Sequence, residues 1–178
     1  MTVVRGEGVV NKMTTRFAEL SKLVPIPYPW DTREYIARVA EYRGRPIELV
    51  PIAPGALSGT GCGTGSALWL ELDDSDVIMY GADTEWHADH MIAHEIGHIL
   101  LGHGSTGGEP APADDLPLHE LMPSLSPDAI RNVLRRQDYD SDRERDAETF
   151  ADMVMVEATL PQRKPSRFRS TFFRARHR

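Results

Sequence analysis

Two stretches near the N-terminus have apolar residues at the three- to four-residue spacing of a helix, with polar residues between them. In the first, from about Asn11 to Val24, apolar residues recur every three or four positions, and three prolines within the next five residues prevent the helix from continuing. The second stretch starts at Asp31, which forms a capping-box-like pattern with Glu34, and it stops at Gly44. The pattern therefore predicts two helices before residue 45.

Three short stretches that follow have the character of strands. Ile47 to Ile52, Ala67 to Leu72 and Val77 to Tyr80 are apolar or alternating runs separated by Gly, Pro and Asp clusters, as in a small antiparallel sheet. The glycine-rich segment 55–66, GALSGTGCGTGS, lacks the Gly-Lys-Ser/Thr ending of a phosphate-binding loop. We predict three antiparallel strands, the first two joined by a flexible connection.

The second half of the chain contains one strongly helical segment, Thr84 to His103, with apolar residues that can pack on the sheet. A stretch rich in Gly, Pro and Asp from Gly104 to Pro123 is typical of a long surface loop. Two more helices are predicted, from Ser126 to Gln137 and from about Asp142 to Thr159. The predicted fold class is α+β, with a small three-stranded antiparallel sheet packed on helix 84–103 and on flanking helices.

Length and composition favour one globular domain without a membrane span. The chain has 178 residues, of which 40% are hydrophobic and 26% charged, and no stretch approaches the roughly 18 apolar residues that cross a bilayer. The N-terminus lacks the pattern of a secretory signal, so we expect a soluble, cytoplasmic protein. Because Cys62 is the single cysteine, a disulfide within the chain and a cysteine-based zinc ribbon are excluded. A bound metal would need His and carboxylate ligands.

Charge divides the chain into two parts. The last eighteen residues, 161–178, contain seven of the 20 Lys and Arg residues, and all 27 acidic residues precede them. We therefore expect a single domain at 1–160, with its core at about 31–157, and a basic, disordered tail. The acidity of the domain argues against nucleic acid as the main partner, and any such contact would be weak and through the tail.

The central helix carries the motif His94-Glu95-Ile96-Gly97-His98, an HExxH sequence. Residues four apart lie one above the other on a helix face, so the two imidazoles can bind one metal ion. The intervening Glu95 is placed as a general base that takes a proton from the attacking water. Two ordinary helix histidines beside a surface glutamate are the alternative interpretation.

A catalytic zinc ion with two histidine ligands needs a third protein ligand, which the last helix can supply. Glu144, Glu148 and Asp152 recur at four-residue intervals and so share one face. One of them can bind the metal while the next, one turn on, accepts a hydrogen bond from a ligand imidazole. The spacing does not choose between Glu144 backed by Glu148 and Glu148 backed by Asp152.

The two motifs together, HEIGHILLGH and then ERDAETFAD, resemble the ImmA/IrrE family of metallopeptidases over about Asp31 to Val156. That family has HExxH followed by a helix with Glu-x-Glu-Ala-Asn/Asp-x-Phe-Ala, whose first glutamate is the third zinc ligand. The resemblance implies a zincin-like minimal metallopeptidase with one zinc per chain, held by His94, His98 and Glu144. Asp146 and Glu148 depart from the family pattern, so two roles stay open for Glu148: an alternative metal ligand, or a residue behind the ligands that hydrogen-bonds the free nitrogen of a ligand imidazole.

The resemblance further implies a function, zinc-dependent hydrolysis of peptide bonds in a specific protein partner. In the family this partner is often a helix-turn-helix repressor; a repressor or an antitoxin is expected here. The alternative is a non-catalytic, zinc-containing regulatory or toxin–antitoxin component that binds a transcription factor. Two further histidines, His90 and His103, lie near the motif. His103 follows the end of the helix, so a favourable interaction with the negative end of the helix dipole accounts for it without a catalytic role. His90 is expected at the surface or at the rim of the cleft.

Overall fold

The computed structural model describes residues 5–57, 67–104, 122–123, 130–133 and 141–160. Within these ranges it contains the helices and strands of an α+β fold, which confirms the predicted class. The helices are α1 Arg5–Leu23, α2 Thr32–Arg43, α3 Glu85–Leu101 and α4 Ser141–Thr159. The strands are β1 Ile47–Pro51, β2 Ala67–Leu72, β3 Asp76–Tyr80 and β4 Ile130–Val133.

Caps fix the limits of α2 and α3. Asp31 and Thr84 each have extended backbone and accept a hydrogen bond from the backbone N–H three residues on, at 2.9 and 3.1 Å. Gly44 and Gly102 end the two helices in the left-handed conformation, with φ of 74° and 75°. The predicted limits of α2 are confirmed, whereas α3 ends two residues before His103, because Gly102 turns the chain.

The sheet is mixed and has the strand order β1-β3-β2-β4 in the described residues. Three residues join β2 to β3, and so short a connection makes these strands an antiparallel hairpin. β1 pairs with β3 in parallel, with Leu49 opposite Ile78. The prediction of a wholly antiparallel sheet is therefore wrong for β1, since the longer connection 52–66 lets β3 lie between β1 and β2.

The prediction of a helix over Ser126–Gln137 is wrong at its centre. Residues 130–133 form β4, which pairs antiparallel with β2, for example Val133 with Leu70. Without β4, β2 would be an edge strand with unpaired backbone groups, and the short segment Ile-Arg-Asn-Val satisfies them. This pairing brings the number of strands in the described residues to four, where three were predicted.

The core lies on both faces of the sheet. On one face, Trp69 and Ile78 pack against the apolar sides of the helices, which include Ile92, Ile96 and Phe150. The opposite face carries a smaller apolar cluster of Leu68, Leu70, Val77 and Met79, against which Leu57 packs. α3 therefore lies buried between the sheet and α4, and residues 91–101 of this helix are all buried.

No helix among the described residues has the length and apolar character needed to cross a membrane. Most of the predicted glycine-rich connection and surface loop, and all of the basic tail, lie outside the described residues. The predicted boundary at residue 160 stays a prediction.

Candidate metal centre

Helices α3 and α4 run antiparallel and face each other through three pairs of side chains. His98 lies opposite Glu144, His94 opposite Glu148, and His90 opposite Asp152, with atom separations of 3.2, 3.1 and 3.2 Å. Moving four residues towards the N-terminus of α3 thus corresponds to moving four residues towards the C-terminus of α4. We call these six residues the histidine–carboxylate ladder.

Small residues let the two helices approach closely enough for this ladder to form. A Cβ atom built on Gly97 would lie 3.2 Å from both the Cα and the carbonyl oxygen of Ala147. Gly97 lies between the two motif histidines, and Ala147 lies between Glu144 and Glu148. The absence of a side chain at Gly97 therefore sets the distance across which the carboxylates reach the imidazoles.

Three of the ladder side chains bring their ligand atoms together as a candidate metal-binding group: His94, His98 and Glu144. The two Nε2 atoms are 3.1 Å apart, and the oxygens of Glu144 lie 3.4 Å from Nε2 of His94 and 3.2 Å from Nε2 of His98. Ligands at zinc-like bond lengths in a tetrahedron are separated by roughly 3.3 Å. The group therefore already has the spacing that one small cation requires.

The electrostatics of the group favour a positive charge. Burial alone would lower the pKa of His94, but hydrogen bonds with Glu144 and Glu148 and the charge of Glu95 raise it to about 10. Burial would raise the pKa of Glu144, yet its hydrogen bonds with His94 and His98 lower it overall. Three carboxylates around two imidazoles thus stabilise a bound cation.

Glu148 plays a different part from Glu144. Its Oε2 lies 3.1 Å from Nδ1 of His94, on the side of the ring away from the candidate metal position, and its side chain is 54% exposed. When Nδ1–H of His94 donates to this oxygen, Nε2 keeps the lone pair that a metal needs. The alternatives left open by the spacing are thus distinguished by position: Glu144 lies with both Nε2 atoms, and Glu148 lies behind His94.

His103 is a partner of His98 that the sequence reasoning did not identify. The two Nδ1 atoms are 3.0 Å apart, and both rings are buried. When Nε2 of His98 serves as a ligand, its Nδ1 carries the ring proton and donates a hydrogen bond to Nδ1 of His103. Burial, followed by the charge of His98, lowers the pKa of His103 to about 4, which keeps this acceptor neutral. The helix dipole alone does not explain His103.

Glu95 is fully buried, and neither of its oxygens makes a hydrogen bond of ordinary geometry with the described residues, although the backbone of Trp69 lies near enough to lower its pKa slightly. Burying a carboxylate without such partners costs free energy, so its presence calls for a functional explanation. Burial raises its pKa, and the charges of His94 and His98 offset part of that rise. A carboxylate with a raised pKa beside two candidate ligands has the properties of a general base.

No known protein-family model matches the chain, and no solved structure matches it at a significant level. What the fold and the site define is therefore an α+β protein with a candidate metal centre between two antiparallel helices. Its function has to be inferred from the chemistry of that centre.

Proposed function

We propose that this protein is a zinc-dependent endopeptidase of the ImmA/IrrE type. The observation that carries the proposal is the meeting of His94, His98 and Glu144 at ligand spacing beside the buried, unpaired carboxylate of Glu95. Two imidazoles and one glutamate are a ligand set of catalytic zinc sites, which leave a further position open. Thiolate ligands, which would favour other metals or a structural site, are absent from the set.

In the proposed mechanism, Nε2 of His94, Nε2 of His98 and the carboxylate of Glu144 would hold one zinc ion. When bound, zinc supplies Lewis acidity, which polarises a peptide carbonyl and makes water acidic near neutral pH. Glu95 accepts the proton of the attacking water on a carboxylate oxygen and then transfers it to the leaving amine nitrogen. Glu148 and His103 hold the two imidazole rings in the orientation and tautomer that binding requires.

The proposed substrate is a specific protein partner inside the cell, a helix-turn-helix repressor or an antitoxin. This part of the proposal is supported by the resemblance of HEIGH and ERDAETFAD to the family motifs, and not by any surface of the described residues. The proposed location is the cytoplasm, where such a partner would be met.

A second candidate function is a zinc-containing regulator that binds a transcription factor without cutting it. The observation that favours it is the complete burial of Glu95, because a base must reach the water that it deprotonates. The unpaired state of this carboxylate favours the peptidase, since a purely structural centre gains nothing from a buried charge without a partner.

Zinc content tests the site. We expect one tightly bound zinc per chain in the wild type, loss of that zinc in Glu144→Gln, and retention in Glu148→Gln with an affinity about 10- to 100-fold lower. Asp146→Asn is the matched control: it also removes one negative charge from α4, but Asp146 is two residues from both Glu144 and Glu148 and so lies on a different side of the helix. A wild type that binds no zinc would refute both functions, and selective loss in Glu148→Gln would exchange the roles of the two glutamates.

Activity then separates the two functions. Zinc-loaded wild type and Glu95→Gln are incubated with a proteome-derived peptide library and with co-encoded repressors, and new termini are identified by mass spectrometry. If the protein is a peptidase, the wild type should cleave peptides, and Glu95→Gln should keep its zinc but cleave them about 100- to 10,000-fold more slowly. Equal, background levels of new termini in both proteins would favour the regulator.

A further inference from the structure

The histidine–carboxylate ladder continues beyond the candidate metal centre. His90, one turn before His94, has its Nε2 3.2 Å from Oδ1 of Asp152 and 3.8 Å from Oε1 of Glu148. The proposed catalytic mechanism uses neither His90 nor Asp152. This third step of the ladder therefore places the imidazole nitrogen of His90 between two carboxylates, and the catalytic function gives no reason for His90 and Asp152 to meet there.

These three side chains have the donor atoms of a metal site. One ligand atom from each of His90, Glu148 and Asp152 lies within 4.8 Å of the others. Their side chains are 19%, 54% and 68% exposed, so water can complete the coordination of a bound ion. Among the described ion pairs, neither carboxylate is neutralised by Lys or Arg. An imidazole with two carboxylates suits a borderline divalent cation such as Zn²⁺ better than Mg²⁺ or Ca²⁺.

We infer that His90, Glu148 and Asp152 form a second, weaker site for a divalent transition-metal ion at the solvent-facing end of the ladder. It is weaker than the first because its side chains are exposed and must be ordered on binding, and because its atom separations are wider.

The second site is coupled to the first through Glu148. The Oε2 atom of Glu148 contacts Nδ1 of His94, and its Oε1 atom faces His90. A cation bound at Oε1 withdraws negative charge from the carboxylate and weakens the hydrogen bond that orients His94. Excess zinc is therefore expected to lower activity, a consequence that rests on the proposed function.

The binding test is calorimetric titration of Zn²⁺ into the full-length protein already holding one equivalent of zinc. We expect a second, weaker binding event in the wild type. His90→Gln and Asp152→Asn should each weaken this event at least about tenfold while the first equivalent stays bound. Glu157→Gln, which removes an exposed charge from the same helix outside the cluster, should leave it unchanged. Mg²⁺ in place of Zn²⁺ should give no event.

Two outcomes overturn the inference. The first is the absence of a second event in the wild type. The second is an event that persists unchanged in His90→Gln and Asp152→Asn, which would place the extra zinc elsewhere on the chain. Both side chains are at least partly exposed, so circular dichroism is expected to show folded variants.

Inhibition by excess zinc provides a second measurement. Activity of the wild type should fall as the second site fills, and Asp152→Asn should resist this inhibition. If the first zinc binds and peptides are cleaved but no second event is seen, only this inference fails. If the first zinc is not bound at all, the proposed function fails as well, so the two failures are distinguishable.

Discussion

Gly97→Ala should damage the metal centre more than it damages the fold. The new Cβ would lie 3.2 Å from the Cα and the carbonyl oxygen of Ala147 and 3.3 Å from Cδ1 of Phe150, distances that few real Cβ contacts show. The two nearest atoms belong to the backbone of α4, so rotation of a side chain does not relieve them. The helices must instead separate by a few tenths of an ångström.

The cost to stability is small because two effects oppose each other. Overpacking of a well-packed interface costs about 1–3 kcal/mol, whereas replacing Gly by Ala within a helix stabilises it by about 1 kcal/mol. The net loss in the free energy of unfolding is therefore about 0–2 kcal/mol. The displacement also moves Glu144 and Glu148, which lie on either side of Ala147 in the sequence. Because loss of a well-placed partner of a metal ligand lowers metal affinity by about 10- to 100-fold, we expect a loss of zinc affinity of that size.

The assay is competition for zinc against a chromophoric chelator, together with thermal unfolding of the metal-free protein. Gly44→Ala is the control, because Gly44 has φ of 74° and a Cβ atom added there would meet nothing within 4 Å. It should lower stability by about 1–2 kcal/mol through backbone strain without changing zinc affinity. Wild-type zinc affinity in Gly97→Ala would refute the argument that the spacing of α3 and α4 sets the geometry of the centre.

Two further predictions concern buried hydrogen bonds. His103→Ala should lower zinc affinity about 10- to 100-fold, because Nδ1–H of His98 loses its acceptor, and His103→Asn, whose amide oxygen can accept that bond, should restore part of the affinity in the same competition assay. Asp76→Ala should lower the free energy of unfolding by about 3 kcal/mol in urea denaturation, since Arg43 and the indole N–H of Trp69 lose a fully buried acceptor. The exposed Asp74→Ala should change it by less than about 0.5 kcal/mol, and equal losses in the two variants would contradict the burial argument.

The faces of α3 and α4 that carry the candidate metal ligands were predictable from sequence, but the relative position of the two helices was not. Four-residue spacing places His94 with His98, and Glu144 with Glu148, without any tertiary information. Which glutamate lies with both Nε2 atoms depends on how far α4 is shifted along α3, and a shift of one turn, about 5.4 Å, would exchange them. That shift is set by long-range packing, here at Gly97 and Ala147.

The sheet was predicted less well for a similar reason. Alternation of apolar residues identified β1, β2 and β3 nearly to the residue, but it carries no information about which strand pairs with which. The segment 130–133 is too short for its period to separate a strand from a helix turn, and its strand character comes from the free edge of β2.

The pairing of buried polar side chains was the feature of the fold least predictable from sequence. Asp76 starts β3, one residue before the predicted start at Val77, and it is fully buried and accepts a hydrogen bond from Nε1 of Trp69 at 3.0 Å. Arg43, far away in sequence at the end of α2, pairs with the same carboxylate. Such groups can be recognised as buried only once their partners are known, because burial of a carboxylate is costly unless hydrogen bonds or opposite charges compensate for the lost water.

The interface between α3 and α4 therefore contributes to the core and also sets the geometry of the candidate metal centre. α3 contributes its apolar side to the core through Ile92 and Ile96, and it presents its histidines to α4 through the contact at Gly97. A centre built on two helices is held to a fraction of an ångström only if those helices cannot slide, and close backbone contact between small residues prevents sliding. Substitutions that preserve the six ladder residues but enlarge Gly97 or Ala147 should therefore leave a folded protein with an impaired centre.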